Sequence, residues 1–156
     1  MARTLMKKLI ASLIVIAVAF TSCDKGPPPV SVTINAITVN GFPQLNSYGD
    51  EWDVVDGADL YFAINEGDNP GNFLLVSSAY YENATVPVNF THDLPYTITT
   101  IHDAWTLSLW DFDNGNDDDI VSAFSFIPND YYVKGRNTIT LTNSSGACEL
   151  NVTWNY

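Results

Sequence analysis

The sequence contains few cationic residues. Six lysines and arginines stand against eighteen aspartates and glutamates, and three of the six lie within the first eight residues. Without that first segment the chain keeps Lys25, Lys134 and Arg136 against all eighteen acids, a formal charge of −15. Binding to nucleic acid requires a basic patch that neutralises phosphates. Three scattered cations cannot form one, so this class of function is excluded.

The sequence also lacks an apolar run long enough to cross a bilayer. Residues 9–20 are apolar apart from one serine, but this run of twelve is well short of the roughly 20 residues that a membrane-spanning helix needs. Cationic residues precede the run and small residues follow it, in the order typical of a signal peptide. We therefore expect residues 1–22 to be a signal peptide.

The end of this segment, Phe20-Thr21-Ser22-Cys23, resembles the bacterial lipobox. The resemblance implies that Cys23 becomes the mature N-terminus and carries acyl chains such as palmitate; more than one chain gives stable anchoring. The alternative is an ordinary cleavage site with an incidental cysteine. Residues 23–29 include three consecutive prolines and are expected to form an extended tether. We expect the protein in the bacterial cell envelope, at the outer membrane or cell surface rather than the inner membrane.

Cysteine is scarce, since Cys23 and Cys148 are the only two. If Cys23 is acylated, Cys148 has no partner within the chain, and an intrachain disulfide is excluded. Cys148 alternates with apolar residues near the C-terminus, which predicts a buried and unreactive thiol.

No segment shows a helical period, and apolar residues alternate along much of residues 30–156. The pattern predicts one all-β domain, an eight-stranded antiparallel β-sandwich. The core face of the last strand is expected to carry Cys148, Leu150, Val152, Trp154 and Tyr156. The predicted strands are residues 30–39, 60–64, 73–81, 95–101, 105–109, 120–127, 137–142 and 147–156, with a hairpin turn at residues 143–146.

Carboxylates are concentrated in two segments, which we call the first acidic segment (residues 52–61) and the second acidic segment (residues 110–120). Each adjoins a predicted strand, so a sheet can fix its position. Calcium takes six to eight oxygen ligands and tolerates irregular geometry. Zinc prefers histidine or thiolate, and His92 and His102 lack a third such ligand. Either segment alone is equally consistent with a solvated turn, because aspartate, asparagine and glycine are common in turns.

Taken together, the two segments resemble the C2 domain, the calcium-dependent module named from protein kinase C and shared by synaptotagmins. The first loop of that family has two aspartates six residues apart, and the second is followed by any residue and then tyrosine. Asp53, Asp59 and Tyr61 match this pattern. The family usually has proline after the second aspartate, where this chain has Leu60.

The third loop of the family has two aspartates separated by one residue, a third aspartate eight after the first, and then two apolar residues. Asp111, Asp113, Asp119, Ile120 and Val121 match. Glycine usually follows, where this chain has Ser122. The resemblance covers residues 30–156 and implies a C2-like fold that binds calcium. The implied ligands are Asp53, Asp59, Asp111, Asp113 and Asp119, with Phe112, Asn116 and Asp117 as auxiliary ligands.

An EF-hand loop is excluded, because Gly115 is the fifth residue from Asp111 rather than the sixth and Ser122 stands where the glutamate belongs. The sequence has no nucleophile motif of the Gly-x-Ser-x-Gly type, and we expect no enzyme activity. A protein or phospholipid partner at the calcium loops stays open. Lipid docking is the weaker alternative, since the second acidic segment has no apolar or basic tip. The remaining alternative is a calcium-independent scaffold or accessory domain.

Overall fold

The structure is a computed structural model that describes residues 27–52, 57–114 and 117–156. This part of the chain folds almost entirely into strands, with one short 3-10 helix at Pro128–Tyr131. None of its helices is long and apolar enough to cross a membrane. The strands are β1 (Ser31–Gly41), β2 (Leu60–Glu66), β3 (Leu75–Val76), β4 (Val88–Phe90), β5 (Tyr96–Ile98), β6 (Trp105–Asp111), β7 (Asp119–Phe126), β8 (Thr138–Asn143) and β9 (Gly146–Asn155).

The strands form two antiparallel sheets. One sheet has the order β4-β1-β9-β8, and β5 also pairs with β1; the other has the order β3-β2-β6-β7. The first half of β1 pairs with β5 and its second half with β4, so these two short strands occupy one position in the sheet. Each sheet therefore has four strand positions, and the predicted eight-stranded antiparallel sandwich is confirmed.

Alternating apolar residues on the facing sides of the two sheets form the core. The fully buried residues Ile37 and Leu150 are opposite each other in β1 and β9. Phe62 of one sheet meets Phe90 of the other edge to face, with ring centroids 5.2 Å apart. Burial of this kind contributes roughly 25 cal/mol per Å² of apolar surface and supplies most of the driving force for the fold.

The outer face of the second sheet is also covered, because β2 is buried on both sides over six of its seven residues. The side-chain amide of Asn65 donates to the carbonyl oxygens of Gly67 and Asn69, at 3.3 and 2.5 Å. The Thr106 hydroxyl donates to the same Gly67 carbonyl at 2.7 Å. The loop after β2 therefore folds back over the sheet and is held by buried polar side chains.

Three details of the strand prediction are wrong. Residues 73–81 do not form one strand: only Leu75–Val76 pair as a strand, because the backbone N–H of Ser78 turns away to Asp93. The strand Val88–Phe90 was missed, since three residues are too few to show alternation. Tyr156 is 60% exposed, because β9 ends at Asn155, whereas the other four residues predicted on that face are buried.

The sandwich has two distinct ends. At the loop end, β1 finishes at Gly41, β2 begins at Leu60 and β7 begins at Asp119. At the tether end, the N–H of Val30 donates to Asn155 at 2.8 Å, and the Thr100 hydroxyl donates to Glu66 at 2.8 Å. The predicted hairpin turn lies at the loop end, where residues 144 and 145 connect β8 to β9.

Candidate functional site

Strand register brings the two acidic segments together at the loop end. In the second sheet Leu60 is opposite Asp111, and Asp111 is in turn opposite Asp119. The acidic ends of three neighbouring strands, which are roughly 5 Å apart, therefore lie side by side at the loop end of the sheet. Asp59 directly precedes this row, and Asp113 follows it within the loop.

Asp111 is the buried member of the cluster, with 1% of its surface exposed. Its Oδ1 accepts a hydrogen bond from the backbone N–H of Asp59 at 2.6 Å. The N–H of Phe112 donates in return to the Asp59 carbonyl oxygen at 2.9 Å. The two segments are therefore fastened directly to each other, and Asp111 acts at least in part as a structural acceptor.

The turn at Asn83 fixes the position of Asp59. The N–H of Asn83 donates to Asp59 Oδ1 at 2.9 Å, and the Asn83 side chain accepts from the N–H of Gly57 at 3.1 Å. Asn83 has a positive φ of 49°, a left-handed conformation that asparagine tolerates better than most residues. Sequence reasoning gave this turn no role, because its contact with Asp59 spans more than twenty residues.

Asp118 is the acidic residue that sequence reasoning missed. Its Oδ2 accepts a hydrogen bond from the Tyr61 hydroxyl at 2.8 Å, and its Oδ1 accepts from the backbone N–H of Asp113 at 3.1 Å. Burial, followed by the hydrogen bond and charge of Asp118, raises the pKa of Tyr61 well above its usual value. Tyr61, predicted as part of the calcium motif, is thus bonded to an aspartate outside that motif.

Asp113 is half-buried and lies within the field of three other carboxylates. Burial raises its pKa above the ordinary value, and the negative charges of Asp119, Asp118 and Asp59 raise it further. Asp113 is therefore buried enough, and close enough to these three carboxylates, for its ionised form to be disfavoured.

The remaining candidates are more scattered. Asp119 and Asp117 are exposed, while the Phe112 ring stacks on Tyr80 with centroids 4.7 Å apart. Asp53, Asn116 and Cys23 lie outside the described residues. Within the described ranges, no three or more carboxylate, histidine or cysteine side chains are arranged to hold a metal ion. The donor set suits a hard cation such as calcium in its chemistry, but the carboxylates of Asp59 and Asp111 already accept hydrogen bonds from backbone N–H groups.

Neither a protein-family model nor a curated protein matches this chain. Solved structures do match. The C2A domain of a plant extended synaptotagmin 1 superposes with a TM-score of 0.52 at 12% identity, covering 83% of this chain and 97% of that one. A structure described as a C2 domain gives a TM-score of 0.51 at 15% identity, covering 81% and 98%. This chain has the fold of a C2 domain.

A third match is a human GIVD cytosolic phospholipase A2, with a TM-score of 0.50 at 17% identity. It covers 81% of this chain but only 16% of the phospholipase. A C2-like fold therefore recurs as one part of a much longer enzyme. At these identities the likeness concerns the fold alone.

Proposed function

We propose that the C2-like domain binds calcium at its loop end and belongs to a lipid-anchored protein of the bacterial envelope that acts in binding, adhesion or structural interaction. The observation that carries the proposal is the convergence of Asp59, Asp111, Asp113 and Asp119 on adjacent strands at one edge. In this proposal the domain has no catalytic role.

Electrostatics supports the choice of a divalent cation. Two like charges about 4 Å apart repel by roughly 4 kcal/mol at an effective dielectric near 20. Burial first, and then the negative charges of Asp119, Asp118 and Asp59, raise the pKa of Asp113, and the contribution of the charges has the direction expected for such repulsion. Calcium would relieve it, with Asp59, Asp111, Asp113 and Asp119 as its described ligands and Asp53 as the fifth. Binding requires the carboxylates of Asp59 and Asp111 to share their present hydrogen bonds with the ion or to give them up.

The described chain enters the domain at the tether end, opposite the proposed calcium loops. Val30 is hydrogen-bonded at the tether end, and Pro28 and Pro29 line a cleft there with Thr100 and His102. The seven residues from Cys23 to Pro29 reach at most about 25 Å. The eleven residues of β1 alone extend about 35 Å. An upright domain therefore directs its loops away from the membrane that holds it, which favours a partner on another surface.

Thermal unfolding of the full chain, in chelator and in millimolar calcium, tests the proposal. A ligand that binds only the folded state stabilises it by about 2.7 kcal/mol at a hundredfold excess over Kd. We expect calcium to raise Tm in the wild type but not in Asp113→Asn. The matched control is Asp130→Asn, which removes one exposed charge near the tether end and should keep the full response to calcium.

An equal Tm in chelator and in calcium for the wild type would reject calcium binding. It would favour the calcium-independent scaffold, which the hydrogen-bonded state of the Asp59 and Asp111 carboxylates supports. A shift that survives in Asp113→Asn would place the ion elsewhere on the chain.

Calcium-dependent phospholipid binding is the second candidate, and one feature favours it. A cleft of about 440 Å³ at the loop end is lined by Asp119 together with exposed apolar side chains. Tyr48 is 88% exposed, Leu45 48% and Ile120 43%. Tyr48 and Leu45, outside the second acidic segment, supply the exposed apolar side chains that the tip of that segment lacks. Sedimentation with anionic vesicles in calcium, compared between wild type and Tyr48→Ser/Leu45→Ser, measures this activity.

A further inference from the structure

A second cleft, of about 400 Å³, opens beside β3. We call it the aromatic cleft. Its walls come from three parts of the chain, namely β2, the segment after β3 and the second acidic segment. It is lined by Tyr61, Val76, Ser77, Ser78, Ala79, Tyr80, Phe112 and Asp118. Among the described residues, its lining does not include Asp59, Asp111, Asp113 or Asp119.

Two rings and one carboxylate define the chemistry of the aromatic cleft. Tyr80 and Phe112 stack with an interplanar angle of 21°, and Tyr80 is 42% exposed. Ser77 donates its hydroxyl hydrogen to the Ala79 carbonyl, and the Ser78 hydroxyl donates to Asp93. These serine groups are engaged locally, so the Asp118 carboxylate is the ionisable acid that faces the cleft.

A cation is the ligand that suits these groups. Asp118 accepts hydrogen bonds from a phenol and a backbone N–H, and neither of these donors neutralises its charge. Aromatic faces attract cations through their quadrupole, and a planar guanidinium can stack on a ring while its N–H groups reach a carboxylate. The acidic cluster that raises the pKa of Asp113 adds a negative field and opposes anionic ligands.

The surroundings of the aromatic cleft indicate that a polypeptide carries this cation. The adjoining edge of the sheet exposes apolar side chains, with Leu74 at 57%, Val76 at 41% and Tyr81 at 43%. A free small cation would leave this surface in water, whereas apolar neighbours of an arginine would cover it. Contiguous exposed apolar surface beside a polar pocket is typical of protein interaction sites.

We propose that the aromatic cleft receives an arginine side chain from a basic segment of a partner polypeptide. The guanidinium stacks on Tyr80 and donates to Asp118, while apolar residues beside the arginine pack on Leu74, Val76 and Tyr81. This site adjoins the proposed calcium site at Phe112 and Asp118, but it operates without the metal.

The test uses a fluorescein-labelled, end-capped peptide, Gly-Leu-Arg-Leu-Gly, and measures its anisotropy with the full chain in chelator. Peptides with lysine or glutamine in place of arginine are compared. We expect the arginine peptide to bind most tightly and the glutamine peptide about tenfold or more weakly, a difference of about 1.4 kcal/mol. The lysine peptide should fall between them, because an ammonium lacks the planar fork.

Substitutions distinguish binding in the aromatic cleft from a general attraction of the basic peptide to an acidic surface. Asp118→Asn and Tyr80→Ala should each weaken the arginine peptide by about tenfold. Asp117→Asn removes the same charge from the neighbouring exposed residue and should leave binding unchanged. If Asp118→Asn fails to fold, as judged by circular dichroism, Tyr80→Ala and the glutamine peptide decide the question.

Three results would overturn the proposal. The first is equal binding of the arginine and glutamine peptides. The second is equal loss in Asp117→Asn and Asp118→Asn, which would mean only a diffuse acidic surface. The third is displacement of the peptide by maltohexaose, which would mean that the rings of Tyr80 and Phe112 bind a sugar. Loss of calcium binding has no effect on these measurements, so this proposal and the calcium proposal fail independently.

Discussion

Substitution of Asp113 separates two properties of the acidic cluster. One is the folding stability lost through burial and charge repulsion, and the other is the proposed calcium binding. The pKa of Asp113 is raised by burial and by three neighbouring carboxylates, so its ionised form is less favourable in the folded state than in the unfolded state. We predict that Asp113→Asn is more stable than the wild type in chelator at neutral pH. The gain should be about 0.5 kcal/mol, the size of a partly exposed charge interaction. Urea unfolding measures it.

The pH dependence of this gain has a definite sign. A raised folded-state pKa means that the folded protein binds the proton more tightly, so the wild type recovers stability as pH falls through that pKa. The advantage of Asp113→Asn should therefore shrink on acidification and vanish below the pKa of the unfolded chain. An advantage that grows as pH falls would contradict the electrostatic explanation.

Single residues also show what the sequence could and could not reveal. The resemblance to the C2 domain implied that Asp59, Asp111 and Asp119 converge, and strand register brings them to one edge. Asp118 was missed although a signal was present. Asp118 precedes Ile120 by two residues, so in an extended chain their side chains lie on the same side. Ile120 is paired with Trp110, and Trp110 is paired with Tyr61. Register between distant strands was needed to use that signal, and one sequence does not supply it.

At the level of elements, the hairpin between β8 and β9 depends on a close approach at Gly146. A methyl group on Gly146 would clash with the carbonyl oxygen of Gly41 in β1. Gly146→Ala should therefore destabilise the fold by about 1–3 kcal/mol, as overpacking generally does. Ser144→Ala, in the same turn but exposed, should have little effect. Chemical unfolding of the two variants gives the comparison, and equal stabilities would contradict this explanation of the glycine.

Elements with many alternating residues were predicted well, and short or interrupted ones were not. β1, β6 and β9 each show several apolar residues with period two, and their ends were placed within a few residues. The segment from Phe73 to Tyr81 is apolar enough for a strand. Asp93 nevertheless accepts both the N–H and the hydroxyl of Ser78, which interrupts the pairing with β2 until Tyr81 bonds to Leu60. This competition between a side chain and the sheet leaves no local pattern in the sequence.

At the scale of the whole molecule, Cys148 reports whether the sandwich is intact. Burial raises the pKa of its thiol to about 12, so the reactive thiolate is rare in the folded protein. In a chain carrying Cys23→Ser, we expect labelling of Cys148 at neutral pH to be about a thousandfold slower than in urea. Labelling at the same rate in both conditions would contradict burial between the sheets.

The opposite placement of tether and loops leads to a prediction about orientation. For this test the chain is prepared in the acylated form proposed above and reconstituted in dilute vesicles that contain an acceptor dye at the lipid surface. A donor is attached either at Val30→Cys, at the tether end, or at Tyr48→Cys, at the loop end. Both positions are well exposed, at 64% and 88%, and buried Cys148 does not compete for the label.

Energy transfer should be strong from position 30 and weak from position 48, with or without calcium. The short tether cannot span the length of the sandwich, so an upright domain holds position 48 tens of ångströms from its own membrane. If calcium raised transfer at position 48 to the level at position 30, the loops would be docking on the membrane that anchors them. A second arm confines the acceptor dye to a separate vesicle population that does not carry the protein. If energy transfer from position 48 rises only when these vesicles are added, the loops bridge two surfaces. The proposed adhesive role requires this second outcome or an equivalent contact with a protein on another surface.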